Sequence, residues 1–468
     1  MKKIWLLCLM CSLSMSAFSG NEFWKWQADH KQSIINGEIK ISQDNAQYIE
    51  NLKSTWTEIE LTSKPFTPIA FEANLPSKKI KPRKIYHAAH KTNLDVLPIE
   101  ILDTKHILNE RIAFQFYDHN LKIKDSAHWG SDILVLNESD VALLWEHFSK
   151  QPVDPLLTQF KMLKETLHLN DWDYALMLFH YSKIWQTSLN AQLLQTQYLL
   201  IQSGYKVKVG LDGNNVVLLM NTRHKILNNS YMTDDQKNRW YVMDFEDKNT
   251  ILNKIKWMSK KHKQSKEIFN LRMNPDLNLG GIWKNKLVTY QINDEQFDIY
   301  LPFNMTIIKH YQTYPILPLS DYVNNDMHNM VSDSIITQIK SKIDIKNEQA
   351  TLNFLLGLSQ SIMSVNQVAN QGAPILFLQA IDSESMSTYE RVLLFKNLTN
   401  KVLGNYMMVV EYNNHLSVGV KLTTEHKLKT FHVNLGDYVF ADPSYVNAKL
   451  GEKMPIEQSV FVSWHPLF

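Results

Sequence analysis

Three side chains towards the C-terminal end of the chain have types and spacing that could do chemistry. Thr388 stands in Ser387-Thr388-Tyr389-Glu390-Arg391, where a helix begins. His415 follows in Tyr412-Asn413-Asn414-His415-Leu416 at the start of a strand, and Asp442 in Ala441-Asp442-Pro443-Ser444-Tyr445. A hydroxyl, an imidazole and a carboxylate could act as nucleophile, base and orienting acid. The hydroxyl is the weak member, because it is far less acidic than a thiol and threonine nucleophiles usually rely on a chain-terminal amine. Thr388 has an ordinary task open to it as a helix N-cap, its oxygen accepting from first-turn amides. His415 and Asp442 could form a structural hydrogen bond in a half-buried cleft or, with Tyr445, contact a ligand.

No thiol replaces that hydroxyl. Cys8 and Cys11 are the only cysteines, and both fall in residues 1–19. There Lys2 and Lys3, the apolar run 4–10 and the ending Ala17-Phe18-Ser19 have the three-part layout of a secretory signal peptide. Cleavage is expected after Ser19, which places the mature chain in the periplasm and excludes disulfides, thiolate metal sites and cysteine nucleophiles from it. Cys11 reads as signal-peptide filler, since Leu9-Met10 is a poor lipobox ending. No later apolar run approaches the ~20 residues of a membrane helix. The net charge is +2, and without Lys2 and Lys3 the balance is 47 basic against 47 acidic residues. A neutral chain has no overall bias towards nucleic acid or anionic lipid.

The elements that must position these residues come in two sets. Residues 112–117 and 121–123 read as strand, turn, strand, and so do 288–292 and 297–300 around a polar turn. Each hairpin precedes helical spacing, at 156–167, 172–184 and 191–203 in one set and at 333–343, 348–365 and 387–403 in the other. The last helix of each set ends at a glycine, Gly204 or Gly404. Strands 206–211 and 406–412 follow, then the turns Asn214-Asn215 and Asn413-Asn414, and finally Tyr241-Val242 and Tyr438-Val439, each running to an aspartate, Asp244 or Asp442. This is one α+β unit in two tandem copies, offset by roughly 175 to 200 residues. The expected division is a signal peptide over 1–19, an N-terminal module over 20–105, a first unit over 106–275 and a second over 286–468.

The second unit resembles the transglutaminase-like superfamily, in particular large exported bacterial proteins of that class with a papain-like fold. His415 matches the family histidine, Asp442-Pro443-Ser444-Tyr445 is similar to a family Asp-Pro-Thr-Tyr, and Gly451-Glu452-Lys453-Met454-Pro455 resembles a family Gly-Met-x-Met-Pro stretch. The resemblance implies a triad in which a cysteine opens the helix, the histidine takes its proton and the aspartate orients the histidine. Aligning on Arg391 and Phe395 puts Thr388 at the cysteine position, with Ser387 replacing the acid before it. In the first unit the helix approach offers Ser188 or Asn190, the turn puts Val216 at the histidine position, and only Asp244 remains.

These readings point to a catalytically inactive, periplasmic transglutaminase-like protein that binds an envelope protein partner or a peptidoglycan peptide, without a cofactor or metal. The alternative is an amide-processing hydrolase or crosslinker using Thr388, or using His415 to activate water. Three other features read as surface. His87-Ala88-Ala89-His90 has metal-compatible spacing but no third ligand nearby. The basic cluster Lys78, Lys79, Lys81, Arg83 and Lys84 suits a solvated linker or edge strand. The stretch 254–266 around Trp257 reads as a solvated, basic connector.

Overall fold

The computed structural model describes residues 56–63, 111–125, 129–130, 133, 135–246, 251–258, 262, 265–292, 295–322, 327–362, 364–365, 376–383, 385–412, 415–452 and 461–467. The signal-peptide reading, the basic cluster at 78–84 and the His87/His90 pair lie outside the described residues. The fold is mixed α+β. Strands β1 (Trp56–Glu60) and β2 (Thr62–Ser63) come first, then the hairpin β3 (Arg111–Phe116) and β4 (His119–Lys124). Helices α1 (Glu138–Ser149), α2 (Asp154–Thr166), α3 (Asp171–Trp185) and α4 (Leu189–Gln202) lead into β5 (Val207–Asp212), β6 (Asn215–Asn221), β7 (Ser230–Thr233), β8 (Arg239–Met243) and β9 (Lys254–Met258).

The second half opens with a longer hairpin, β10 (Trp283–Ile292) and β11 (Glu295–Asn304). It continues through α5 (Met305–Thr313), α6 (Leu319–Tyr322), α7 (Asn329–Lys340), α8 (Glu348–Ser361), β12 (Ser364–Val365), α9 (Phe377–Ser383), β13 (Ser385–Met386) and α10 (Thr388–Leu403). Strands β14 (Met407–Tyr412), β15 (Leu416–Val420), β16 (Thr430–Val433), β17 (Gly436–Ala441) and β18 (Phe461–Leu467) complete it. The helix expected over 348–365 stops at Ser361, and Ser364 and Val365 instead pair in parallel with Ser385 and Met386. Among the described residues no helix is long and apolar enough to cross a membrane.

Both halves stack the same layers. In the first, α4 lies between the sheet and α3, α3 packs on β3, and α2 packs on β4. In the second, α10 packs on β15 and α8, α8 packs on β10, and α7 packs on β11. The strand orders agree as well, β9-β5-β6-β8-β7 in one sheet and β18-β14-β15-β17-β16 in the other. The agreement extends to single residues. Val207 faces Met220 as Met407 faces Val420, Leu218 faces Met243 as Val418 faces Ala441, and Gly210 faces Trp257 as Val410 faces Trp464. The stretch expected to be a solvated connector therefore begins as a sheet strand, with Lys254 and Lys256 exposed and Trp257 stacked against the Lys208 ammonium at 3.8 Å. Residues 56–63, from the segment read as a separate module, are built into the first sheet.

The layering follows from where apolar residues fall. Helix α2 buries Leu156, Leu157, Phe160 and Leu163 along one stripe and turns a mostly polar face outwards, as a surface helix does. Helix α3 buries every residue from Trp172 to Phe179, and α10 every residue from Glu390 to Lys396, so both must be covered on all sides. Within α10, Arg391 is buried and donates from Nη1 to the Ser359 carbonyl of α8 at 2.6 Å. The two halves share one continuous core and meet where the β3–β4 turn reaches α5. The Tyr117 hydroxyl lies 2.7 Å from His310 Nδ1, and His310 Nε2 lies 2.9 Å from Asp173 Oδ1. That second contact is close in distance but off line for a hydrogen bond. Burial first, and then the Asp173 charge, push the Tyr117 phenol well up.

A carboxylate after an asparagine N-cap ties each central helix to the strand side of its unit. Asn170 caps α3 and Asn347 caps α8, and the next residue is Asp171 or Glu348. Asp171 accepts from Tyr205, and Glu348 accepts from Asn405 at the equivalent position and from Thr423 and Thr424. Burial alone would raise the Glu348 pKa, but hydrogen bonds led by Thr424 outweigh it and hold the group at about 2. Because the folded-state pKa is depressed, the stabilisation is present above about 4.5 and is lost as pH falls towards about 2. We expect Glu348→Gln to cost about 1.5–3 kcal/mol at pH 7, the scale of hydrogen bonds to a charged group. Denaturant melts across pH should show wild type and variant converging near the bottom of that window.

Candidate functional site

The ladder of β14, β15 and β17 sets the site. Tyr412 and His415 close the β14–β15 turn, with the Tyr412 amide donating to the His415 carbonyl at 2.8 Å. Asp442 leaves the end of β17, one residue beyond the Val418–Ala441 pair. The two side chains meet at 2.7 Å, His415 Nε2 to Asp442 Oδ2, with 5% and 0% of their surfaces exposed. The other carboxylate oxygen is held too. Oδ1 accepts from the Ser444 hydroxyl at 2.8 Å and from the Ser444 and Tyr445 amides at 3.2 Å, and Gln360 of α8 holds the Asp442 carbonyl at 2.9 Å. A buried carboxylate with both oxygens engaged is fixed in orientation, and it fixes the ring. Since Asp442 engages Nε2, a base at this position would have to work through Nδ1.

Helix α10 delivers Thr388 to the same end of the sheet. Tyr389 is half-buried next to the Glu411 charge at the end of β14; burial first, and then that charge, push its phenol well up. Thr388 is not the N-cap that the sequence suggested. Ser387 holds extended backbone, accepts from the Tyr389 amide at 3.2 Å and donates its own amide to Glu390 at 2.6 Å, a capping box that leaves Thr388 as the first helical residue. Thr388 is half-buried, and among the described residues no hydrogen bond joins it to His415. Tyr445 is also half-buried, and the contact that ties it to the pair is its amide.

The first half keeps the frame without this chemistry. Asp244 occupies the place of Asp442 by strand register, one residue beyond the Leu218–Met243 pair. Val216 does not occupy the place of His415. The register puts Asn215 there, paired with Asp212 as His415 closes on Tyr412. Ser188 caps α4 as Ser387 caps α10, so the residue matching Thr388 is the exposed Leu189. Asn190 closes the gap between helix and turn, donating to the carbonyls of Val135 and Asn214 and accepting from the Val216 amide at 2.9 Å. Beside Asp244 lies a narrow crevice lined by Trp172, Met220, Asn229, Val242, Thr313 and Pro315, with no room for a water-sized molecule. Ordinary ligand pockets enclose ~300–1,000 Å³.

Among the described residues, no group of three His, Cys, Asp or Glu side chains could hold a metal ion. Compared with known protein families, curated proteins and solved structures, the chain has no match. The geometry alone therefore defines the site: a buried His415–Asp442 pair at the end of the second sheet.

The two aspartates should behave differently. Asp442→Ala leaves a buried imidazole without its partner and is expected to cost about 3–5 kcal/mol, whereas Ser444→Ala should cost about 1 kcal/mol. Asp244 is half-buried and accepts from the Glu246 amide, so Asp244→Ala should cost about 1 kcal/mol. Urea unfolding of the three variants checks the order.

Proposed function

We propose that this protein is an exported, catalytically silent relative of the transglutaminase-like class, built from two tandem units. It binds an extended peptide beside His415 and Asp442, with an envelope protein as the first candidate and a cell-wall stem peptide as the second. The observation that carries the reading is the buried His415–Asp442 pair, fully supported around the carboxylate and set beside a helix start whose nucleophile position is threonine. A cleft that once held an acyl donor can still hold a chain after the nucleophile is lost. The first unit, with asparagine and leucine in the corresponding places and only a small crevice, serves as scaffold.

Two experiments bear on this. Crosslinking in living cells with tagged wild type should recover an envelope partner that is lost in His415→Ala; unaltered binding in both His415→Ala and Asp442→Ala would exclude the cleft. Turnover of peptide amides that disappears in His415→Ala would replace binding with hydrolysis.

The inherited geometry has its own test in Thr388→Cys, which introduces the only thiol of the mature chain. Placed at a helix start beside a histidine, that thiol should react with iodoacetamide at pH 6 about tenfold faster than free cysteine, and the gain should vanish when His415→Ala is added. Reaction at the rate of free cysteine would contradict an inherited triad.

A further inference from the structure

The two sheets are finished differently at their edges. In the first half, residues 56–63 serve both edges: β1 pairs with β9, and β2 pairs with β7 through Thr62–Tyr231 and Ser63–Ser230. Leu61, between them, packs on a small core of Val217, Leu219, Met232, Trp240, Val242 and Ile255. In the second half Thr430 faces Val439 as Tyr231 faces Tyr241, so Lys429 and Thr430 stand where β2 pairs in the first sheet. Among the described residues, β16 pairs with β17 alone and ends the sheet. Burial follows the same contrast. Ser230 and Met232 are 0% and 6% exposed, whereas Lys429 is exposed and Phe431 partly so.

The β16 edge is set to accept a strand. Asn434 and Leu435 form a two-residue turn, which makes Val433–Gly436 and Phe431–Tyr438 the hydrogen-bonded pairs of the hairpin. The amides and carbonyls of Thr430 and His432 therefore point away from β17. Phe431 is held in place on the sheet face. It stacks on Phe440 at 4.2 Å and lies over Gly419, where an added Cβ would come within 2.6 Å of its ring.

We propose that β16 is a docking edge for an extended segment of another polypeptide, added antiparallel as β2 is added to β7. The first sheet indicates the chemistry of that segment. At its other edge Glu58 and Glu60 stand in register opposite Lys256 and Lys254, and between the two edge strands Leu61 covers the core around Met232. Lys427 and Lys429 are exposed just before β16, so acidic residues belong opposite them and an apolar side chain belongs over Phe431. Main-chain pairing supplies affinity in such complexes, and the alternating side chains supply selectivity.

The probe is a labelled synthetic peptide with the sequence of residues 56–63, titrated to about 1 mM against the full chain by fluorescence anisotropy. His432→Ala keeps the outward amide and loses only an exposed ion pair with Asp437, so it should bind within about twofold of wild type. His432→Pro removes that amide without touching the β16–β17 pairing, and Lys429→Glu reverses the facing charge; each should weaken binding about tenfold or more. If circular dichroism shows that the proline variant is not folded, Lys429→Glu decides. Absence of binding to wild type, or equal binding by wild type and the deciding variants, overturns the proposal. Concentration-dependent dimerisation of wild type that is lost in His432→Pro also overturns it, and assigns the edge to a second copy of this chain.

Discussion

Strand register is the constraint on which the rest of this structure depends. Side chains alternate along a strand with a period of two, so a slip of one residue in β15 or β17 would send His415 or Asp442 to opposite faces of the sheet. The Val418–Ala441 and Val420–Val439 pairs prevent that slip, because Val418, Val420, Val439 and Ala441 are all buried in the core against α10. Burial of the sheet's inner face thus fixes the register, and the register brings an imidazole and a carboxylate to 2.7 Å. The helix follows from the same packing. α10 is buried along its length and must lie on β15, which carries Thr388 to the end of the sheet where the pair sits.

The same frame carries different contents in the two halves, which separates what the fold requires from what it permits. Required are the glycine after α4 and α10, the asparagine cap followed by an anchored acid, and the tryptophan register of Trp257 and Trp464, since each recurs. Permitted are residues at the open end of the sheet, where Asn215 and Leu189 replace His415 and Thr388, while the aspartate recurs as Asp244 and Asp442. Asn190 makes three hydrogen bonds across a gap that, in the second half, adjoins Tyr389. Fold and chemistry vary independently here, and at this end of the sheet it is the second half that joins a buried imidazole to a buried carboxylate.

Much of this was legible in the sequence, for reasons that also explain what was not. The central helices announce themselves by length and by continuous apolar content, and the matching strand orders of the two sheets by the recurrence of hairpin, helices, glycine and Tyr-Val strand. Asp244 and Asp442 could be matched because each directly follows a strand core. The histidine position was misplaced by one residue, at Val216 instead of Asn215, because hairpin register is set by turn geometry and not by the identity of the turn residues. The N-cap was misassigned to Thr388 although Ser387-x-x-Glu390 spells a capping box. A similar capping box, Asn137 with Asp140, begins α1. The pairing of residues 56–63 with the first sheet and the Tyr117–His310–Asp173 joint were not legible, since both depend on contacts between distant parts of the chain.

The central claim is that Asp442 holds His415 in one orientation through Nε2. Nitrogen-15 NMR of histidine-labelled protein, with His415 assigned by substitution, tests it most directly. A protonated Nε2 whose hydrogen exchanges slowly with water, and whose protection disappears in Asp442→Ala, is the result this account predicts. An imidazole whose ring hydrogens exchange freely in wild type, unchanged by loss of Asp442, would contradict it.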